Sequence, residues 1–101
     1  MSFKAIILLT RRDDMSATEF RHWWLDEHAP LAAQLPGARR ITFNVVEDPT
    51  DVDGISELWF DSRADFDAAY ASDLGRSVAA DSMSHVGGRT RLFVAEHHIV
   101  E

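Results

Sequence analysis

Residues 3–10, Phe3-Lys4-Ala5-Ile6-Ile7-Leu8-Leu9-Thr10, are the stretch whose reading decides the fold. Side chains of a strand point alternately to its two faces. Here both alternation sets are apolar: Phe3, Ala5, Ile7 and Leu9 on one, Ile6 and Leu8 on the other. Such a strand needs cover on both faces.

The rest of the chain supplies cover for one of them. Residues 17–35 carry apolar side chains at helical spacing (Phe20, Trp24, Leu31, Leu35) after a capping-box start at Ser16 and Glu19, and Pro36-Gly37 ends the run. Arg39–Glu47 is rich in β-branched residues and reads as the second strand. Residues 48–54 form a polar loop, and Ile55–Phe60 reads as the third strand. Ser62 with Asp65 opens a second helix whose face holds Phe66, Ala69 and Tyr70. Gly75 interrupts it, further turns run from Val78 to Met83, Gly87-Gly88 breaks the chain again, and Thr90–Val100 reads as the last strand.

The order β-α-β-β-α-β is that of a ferredoxin-like α+β fold, an antiparallel sheet with both helices on one face. The helices leave the other face, with Ile6 and Leu8, in water. Soluble monomers avoid an apolar patch of that size. The expectation is a homodimer with two sheets packed face to face.

With 101 residues the chain is expected to form one domain with a modest core. Its 17 acidic against 10 basic residues give a net charge of −7, which disfavours nucleic acid and anionic membrane surfaces as partners. The pairs Arg11-Arg12 and Arg39-Arg40 read as solvated loop ends. No cysteine is present, so disulfides, thiolate nucleophiles and zinc–cysteine sites are excluded. No apolar run reaches the roughly 18 residues of a membrane span, and the start lacks the features of a signal peptide, so a cytoplasmic location is expected.

Chemistry centres on His28, one turn beyond Trp24 on the apolar stripe of the first helix. Pro30 lacks the N–H that would bond the carbonyl of Asp26, so the helix loosens or kinks beside the imidazole. A lone histidine on an apolar face is either a packed core residue or an acid–base group, since it exchanges a proton near neutral pH. Glu57 lies in the third strand, where both faces should be covered. A buried carboxylate needs a partner. It either pairs with an arginine such as Arg40 or Arg91 across the dimer interface, or orients His28 as a second proton carrier. Trp24, Phe43, Trp59 and Tyr70 are candidate pocket walls, as pockets are mostly apolar. Asn44, polar within an apolar strand, either holds a ligand carbonyl or bridges backbone groups. His85 is either a second imidazole near the pocket or a helix-end cation favoured by the dipole. Trp23 and His22 lie off the main stripe and read as surface or interface residues.

No metal is expected. His97-His98 are neighbours on a strand and point to opposite faces, His22 and His28 lie on different helix faces, and no H-x-x-x-H spacing occurs. No Gly-rich phosphate loop follows a strand, so no nucleotide cofactor is expected. Ser16 and Ser62 serve as caps, and no nucleophile elbow is present.

The run Met15-Ser16, Glu19-Phe20, Trp24, His28-Ala29-Pro30 and Leu35-Pro36-Gly37 resembles the EthD-like family, named from ethyl tert-butyl ether degradation. The resemblance continues through Arg40, Asn44, Asp53–Asp61, an acidic position at Asp81 and Leu92–Glu96. It departs near Ser82-Met83-Ser84-His85, where the family commonly has an aromatic. At Asp81 a helix-end or loop role is expected ahead of catalysis. The resemblance implies a dimeric α+β barrel and a functional histidine at the His28-Ala29-Pro30 motif. The family's relatives include a methylmuconolactone methylisomerase, and more distant dimeric barrels include cofactor-free monooxygenases and polyketide cyclases. The expected function is therefore a cofactor-free acid–base enzyme of isomerase, cyclase or dehydratase type, with His28 and Glu57 as catalytic candidates. Its substrate would be a small hydrophobic oxygenated molecule such as a lactone or aromatic-breakdown intermediate. The alternative is a non-catalytic binding or accessory protein of an ether-degradation-like oxygenase system.

Overall fold

The computed structural model describes residues 2–100. Strands β1 (Phe3–Arg11), β2 (Arg40–Val45), β3 (Gly54–Phe60) and β4 (Val86–Val94) form one sheet in the order β2-β3-β1-β4, with every neighbouring pair antiparallel. Between β1 and β2 run α1 (Ala17–His22), a π-helical turn (Trp23–His28) and α2 (Ala29–Ala32). Helices α3 (Arg63–Ala71) and α4 (Asp73–His85) connect β3 to β4. This is the ferredoxin-like α+β arrangement expected from the element order.

The register assigns the two sheet faces. Ala5, Ile7 and Leu9 of β1 lie opposite Leu58, Ser56 and Gly54, and these positions are buried beneath the helices. Phe20, Trp24, Phe60 and Phe66 are the largest fully buried side chains, and they tie α1, the π turn, β3 and α3 into one core. Ile6, Leu8, Ile55 and Trp59 turn to the opposite, open face, where they are half-buried, and Leu92 on the same face is exposed.

Beyond shifts of one to three residues at the ends of β1, the first helical region, β2 and β3, three features differ from the sequence reading. First, the second helical region breaks at Ser72, not Gly75. The Ser72 backbone closes α3 by donating to the carbonyl of Ala69, and its hydroxyl accepts from the Gly75 N–H at 3.0 Å to cap α4. Gly75 lies inside the first turn of α4 because a Cβ there would stand 2.0 Å from the Ala69 carbonyl oxygen. Second, β4 starts at Val86 and ends at Val94, so Gly87-Gly88 belong to the strand. β1 pairs β4 along most of its length, and a register shift between Thr10 and Arg11 absorbs the extra residue, as a bulge does. Third, His97 and His98 lie beyond the strand, so strand alternation does not govern them.

The chain leaves the first helical region through Gly37, whose φ of 81° falls in the left-handed region that glycine adopts without strain. Beyond β4, Glu96 folds back on the open face. Its carboxylate accepts from Trp59 Nε1 at 2.9 Å and from Lys4 Nζ at 3.0 Å.

The close passage of α4 over the end of α3 gives a sharp expectation. Gly75→Ala should cost about 3 kcal/mol or more, since the obstructing atoms are backbone and cannot rotate away. Urea unfolding of the variant measures it; a cost below about 1 kcal/mol would contradict the close approach.

Candidate functional site

The helix that carries His28 is wider there than an α-helix. The Ala29 N–H donates to the carbonyl of Trp24, five residues back, and Trp23–His28 forms a π-helical turn. Pro30 follows at the start of α2 and offers no N–H. The loosening expected from Pro30 thus takes the form of one extra residue in the turn, a feature frequent at functional sites. It also moves Trp23. In a regular helix Trp23 would sit off the apolar stripe, but the widened turn brings both Trp23 and Trp24 inside, 3% and 0% exposed. Trp23 is therefore a core residue and not a surface one. His22 does lie on the surface, paired with Asp26 at 2.8 Å.

His28 is 4% exposed. Its ring lies 5.0 Å from that of Trp23 and 6.1 Å from that of Phe43, which in turn stacks on Trp24 at 4.4 Å. Nδ1 is 2.8 Å from Asp81 Oδ2, and Nε2 is 3.3 Å from the Ser82 hydroxyl. A carboxylate only accepts, so the proton sits on Nδ1 and Nε2 carries the lone pair. Trp23 Nε1 donates to the same Asp81 oxygen at 3.2 Å. Asp81 thereby fixes the tautomer and ring plane of His28 and anchors the π turn to α4.

Burial lowers the His28 pKa below the ordinary 6.5, and Asp81 offsets this only in part. The imidazole is neutral at pH 7, with a basic Nε2.

A small cavity adjoins the ring. Its volume is about 20 Å³, room for a water, and a larger ligand must displace side chains to enter. His28, Trp24, Phe43, Tyr70, Ser82 and Arg89 are among its walls. Tyr70 packs on Phe66, and burial raises its pKa.

The expected site residues divide between the two faces of the sheet. His28, Trp24, Phe43 and Tyr70 meet on the helix side. Glu57, Asn44 and Trp59 lie on the open face: Glu57 pairs across the sheet with Ile6 and Thr42, and Asn44 with Ile55. Glu57 neither orients His28 nor pairs with an arginine of this chain. Its partner is Lys4 Nζ at 2.9 Å, with Asn44 Nδ2 donating at 3.0 Å, and these two hydrogen bonds hold its carboxyl below the usual range. Asn44 also donates to the Ile55 carbonyl at 3.0 Å, which is the bridging role. Trp59 lies under Lys4 and Arg40, at 4.4 and 4.7 Å from its ring centre. Hydrogen bonds from Trp59 first, then Lys4, bring Glu96 down to about 2. His85 stacks on Trp23 at 4.5 Å, and its Nδ1 donates to the Asp81 carbonyl at 2.8 Å, as a helix-end residue does. It is not part of the cavity wall.

Asp81, Ser82 and Arg89 were not read as site residues from sequence. Asp81 and Ser82 look like ordinary polar residues near a helix end. The one available signal was the matching acidic position at Asp81. Among the described residues, no group of three His, Cys, Asp or Glu side chains converges as a metal site would require.

The sequence model of the EthD domain matches residues 12–87. The chain belongs to the EthD family. A Rhodococcus erythropolis relative, an uncharacterized 11.0 kDa protein in the thcB-thcC intergenic region, is 29% identical over 86 residues, which cover 80% of this chain and 84% of the relative. Among solved structures, an ethyl tert-butyl ether degradation family protein from Bacillus halodurans C-125 superposes with a TM-score of 0.83 at 24% identity, covering 96% of this chain and 100% of that one. SnoaB, a cofactor-independent oxygenase from Streptomyces nogalater, gives a TM-score of 0.74 at 17% identity, covering 99% of this chain and 98% of that one. At these identities the structural likenesses show the shared fold.

The depressed pKa of His28 has a consequence for stability. The unfolded chain binds a proton at about 6.5, and the folded site binds it only at lower pH. The contribution of neutral His28 is therefore fully present above pH 6.5 and is lost as pH falls through the folded value. Urea midpoints measured from pH 8 down to 5 should fall below pH 6.5, and less steeply in His28→Gln. An equal slope in both proteins would show that His28 is not the group responsible.

Proposed function

We propose that this EthD protein is a cofactor-free acid–base enzyme acting on a small, largely apolar, oxygenated molecule, with His28 as the proton carrier. The observation that supports this reading best is the chain Asp81–His28–Ser82 at the wall of the cavity. Nδ1 is held by a carboxylate, so the developing imidazolium is stabilised when Nε2 takes a proton, and a neutral imidazole is available as base at pH 7. Trp24 and Phe43 give a flat apolar wall for the substrate skeleton. Abstraction of a proton next to a carbonyl is the step that isomerisation, cyclisation and dehydration share; the proton then returns to another carbon in an isomerisation, goes to the attacked carbonyl oxygen in an aldol-type cyclisation, or leaves with the departing hydroxyl as water in a dehydration. Glu57 has no part in it, being on the other face of the sheet. Substrates of lactone or aromatic-breakdown type fit the apolar wall. SnoaB's description as a cofactor-independent oxygenase is compatible with a fold that needs no cofactor.

A second reading is a binding or accessory protein. What favours it is that both His28 nitrogens already have partners and that the cavity is closed to about 20 Å³, as a satisfied core histidine would have it.

Deuterium exchange and turnover of a panel of lactones, quinones and phenolic acids in D2O, followed by NMR, separates the two. The wild type should exchange or convert a member of the panel, with a rate that rises with pH through a value below 6.5 and then levels. His28→Gln should lose about 100-fold or more, and Asp81→Asn should lose less while remaining folded. Turnover unchanged in His28→Gln, or binding with no exchange at all, would leave the binding reading in its place.

We also propose that the open sheet face, with Ile6, Leu8, Trp59 and Leu92, is covered by a second copy of the chain. Sedimentation should give a dimer at micromolar concentration and a monomer for Leu92→Glu. A wild-type monomer would defeat this assignment.

A further inference from the structure

The polar groups around the cavity are mismatched in a way the acid–base reading does not use. Arg89 projects from the helix-side face of β4, opposite Leu9, into the cavity wall. It is half-buried, and among the described residues its guanidinium has no carboxylate and no hydrogen-bond partner; the groups that act on it are Tyr70 and a second cation, Arg91. The chain carries 17 acidic residues, and most of its other arginines have found one: Arg11 pairs with Asp53, Arg12 with Asp14, Arg39 with Asp61, Arg63 with Asp67 and Arg76 with Asp73. Removing a cation from water without a counter-charge is costly. A pocket wall is a place where that cost has a use.

The neighbouring groups repeat the pattern. Trp24 Nε1, on a residue that is fully buried, is the one buried side-chain polar atom among the described residues without a hydrogen-bond partner. Tyr70 shares the cavity wall with Arg89, and its hydroxyl makes no hydrogen bond among the described residues. The single basic nitrogen of the wall, His28 Nε2, already accepts from Ser82. Donors without acceptors, one of them a full positive charge, ask for a ligand that brings acceptor oxygens and a negative charge.

We propose that the cavity of His28 is a site for a small carboxylate, whose charged group is held by Arg89 with Tyr70 while its carbon skeleton lies along Trp24 and Phe43. The proposal rests on the reading of this cavity as the functional site and narrows its ligand to an anion. Arg89 is the specificity-determining residue: guanidinium and carboxylate pair in a bidentate fork, an interaction a neutral isostere cannot make. Being long and partly open to solvent, Arg89 is also a side chain that can swing aside and enlarge the cavity on entry. Recruiting an anion by one local cation also makes sense on a protein of net charge −7, whose surface otherwise repels it.

The test is calorimetric titration, with tryptophan fluorescence as a second readout, of the full chain. The probes are benzoate, phenylacetate and 5-oxotetrahydrofuran-2-carboxylate, each against its own amide. The expected result is binding of at least one carboxylate about tenfold or more tightly than its amide, a preference lost in Arg89→Met and kept only in part in Arg89→Lys, which restores the charge without the fork. Arg91→Gln, outside the cavity wall, should keep it. His28→Gln should also keep the preference, so failure of the acid–base reading, seen as binding without deuterium exchange, is distinct from failure of this one. Amides binding as well as carboxylates, a preference that survives Arg89→Met in a folded protein, or no binding of any of the three carboxylates would overturn the proposal.

Discussion

The site depends on one extra residue in a helical turn. Between Trp23 and His28 the backbone closes a hydrogen bond over five residues, and Pro30 just beyond supplies no N–H to restore the tighter pattern. The consequence is a change of phase. Trp23 and Trp24, adjacent in sequence, are both buried, and His28 comes to lie against Trp23 with its Nδ1 aimed at α4. The widened turn is then held by tertiary contacts: the single carboxylate of Asp81 accepts from both the indole of Trp23 and the imidazole of His28. Loss of that carboxylate would leave two buried donors without an acceptor, so the geometry of the helix and the protonation of the histidine are coupled through one oxygen.

The sheet separates two chemistries that composition alone would mix. On the helix side lie His28, Ser82, Tyr70 and Arg89, with aromatic walls and no acidic residue in the cavity lining. On the open face a lysine is buried between two carboxylates, Glu57 and Glu96, with Trp59 beneath it. Hydrogen bonds to Glu57 and Glu96 raise the Lys4 pKa against the opposing and larger single effect of its burial. That network satisfies itself, whereas on the helix side Arg89 and the indole of Trp24 have no hydrogen-bond partner among the described residues. An ionic network complete within one chain suits a face proposed to be covered by a second copy. Donors without acceptors are what the proposed carboxylate would meet in the cavity.

Much of the fold was readable along the chain because it follows from local periodicity and caps. The capping box of Ser16 and Glu19, the Ser62 cap and the alternation in β1 and β3 all stand as the residues indicate. Of the cavity, His28 and the aromatic residues Trp24, Phe43 and Tyr70 were readable, but its other polar members were not. His28 could be singled out from its stripe and from Pro30. Its true partner could not, because Asp81 lies 53 residues away and nothing local marks which carboxylate the α4 crossing delivers. Glu57 was the more visible candidate, an acid in an apolar strand, yet strand alternation gives two faces without saying which of them the helices cover.

By itself, the sequence determined the element order, the apolar character of both β1 faces, the kink-prone position of His28 and the family, since these are properties of neighbours along the chain. The tertiary structure decided which sheet face received Glu57, where α4 broke from α3, and that Asp81, Ser82 and Arg89 surround the histidine. Those outcomes depend on strand register and helix crossing, which are set when distant segments compete to bury apolar surface and to pair their polar groups.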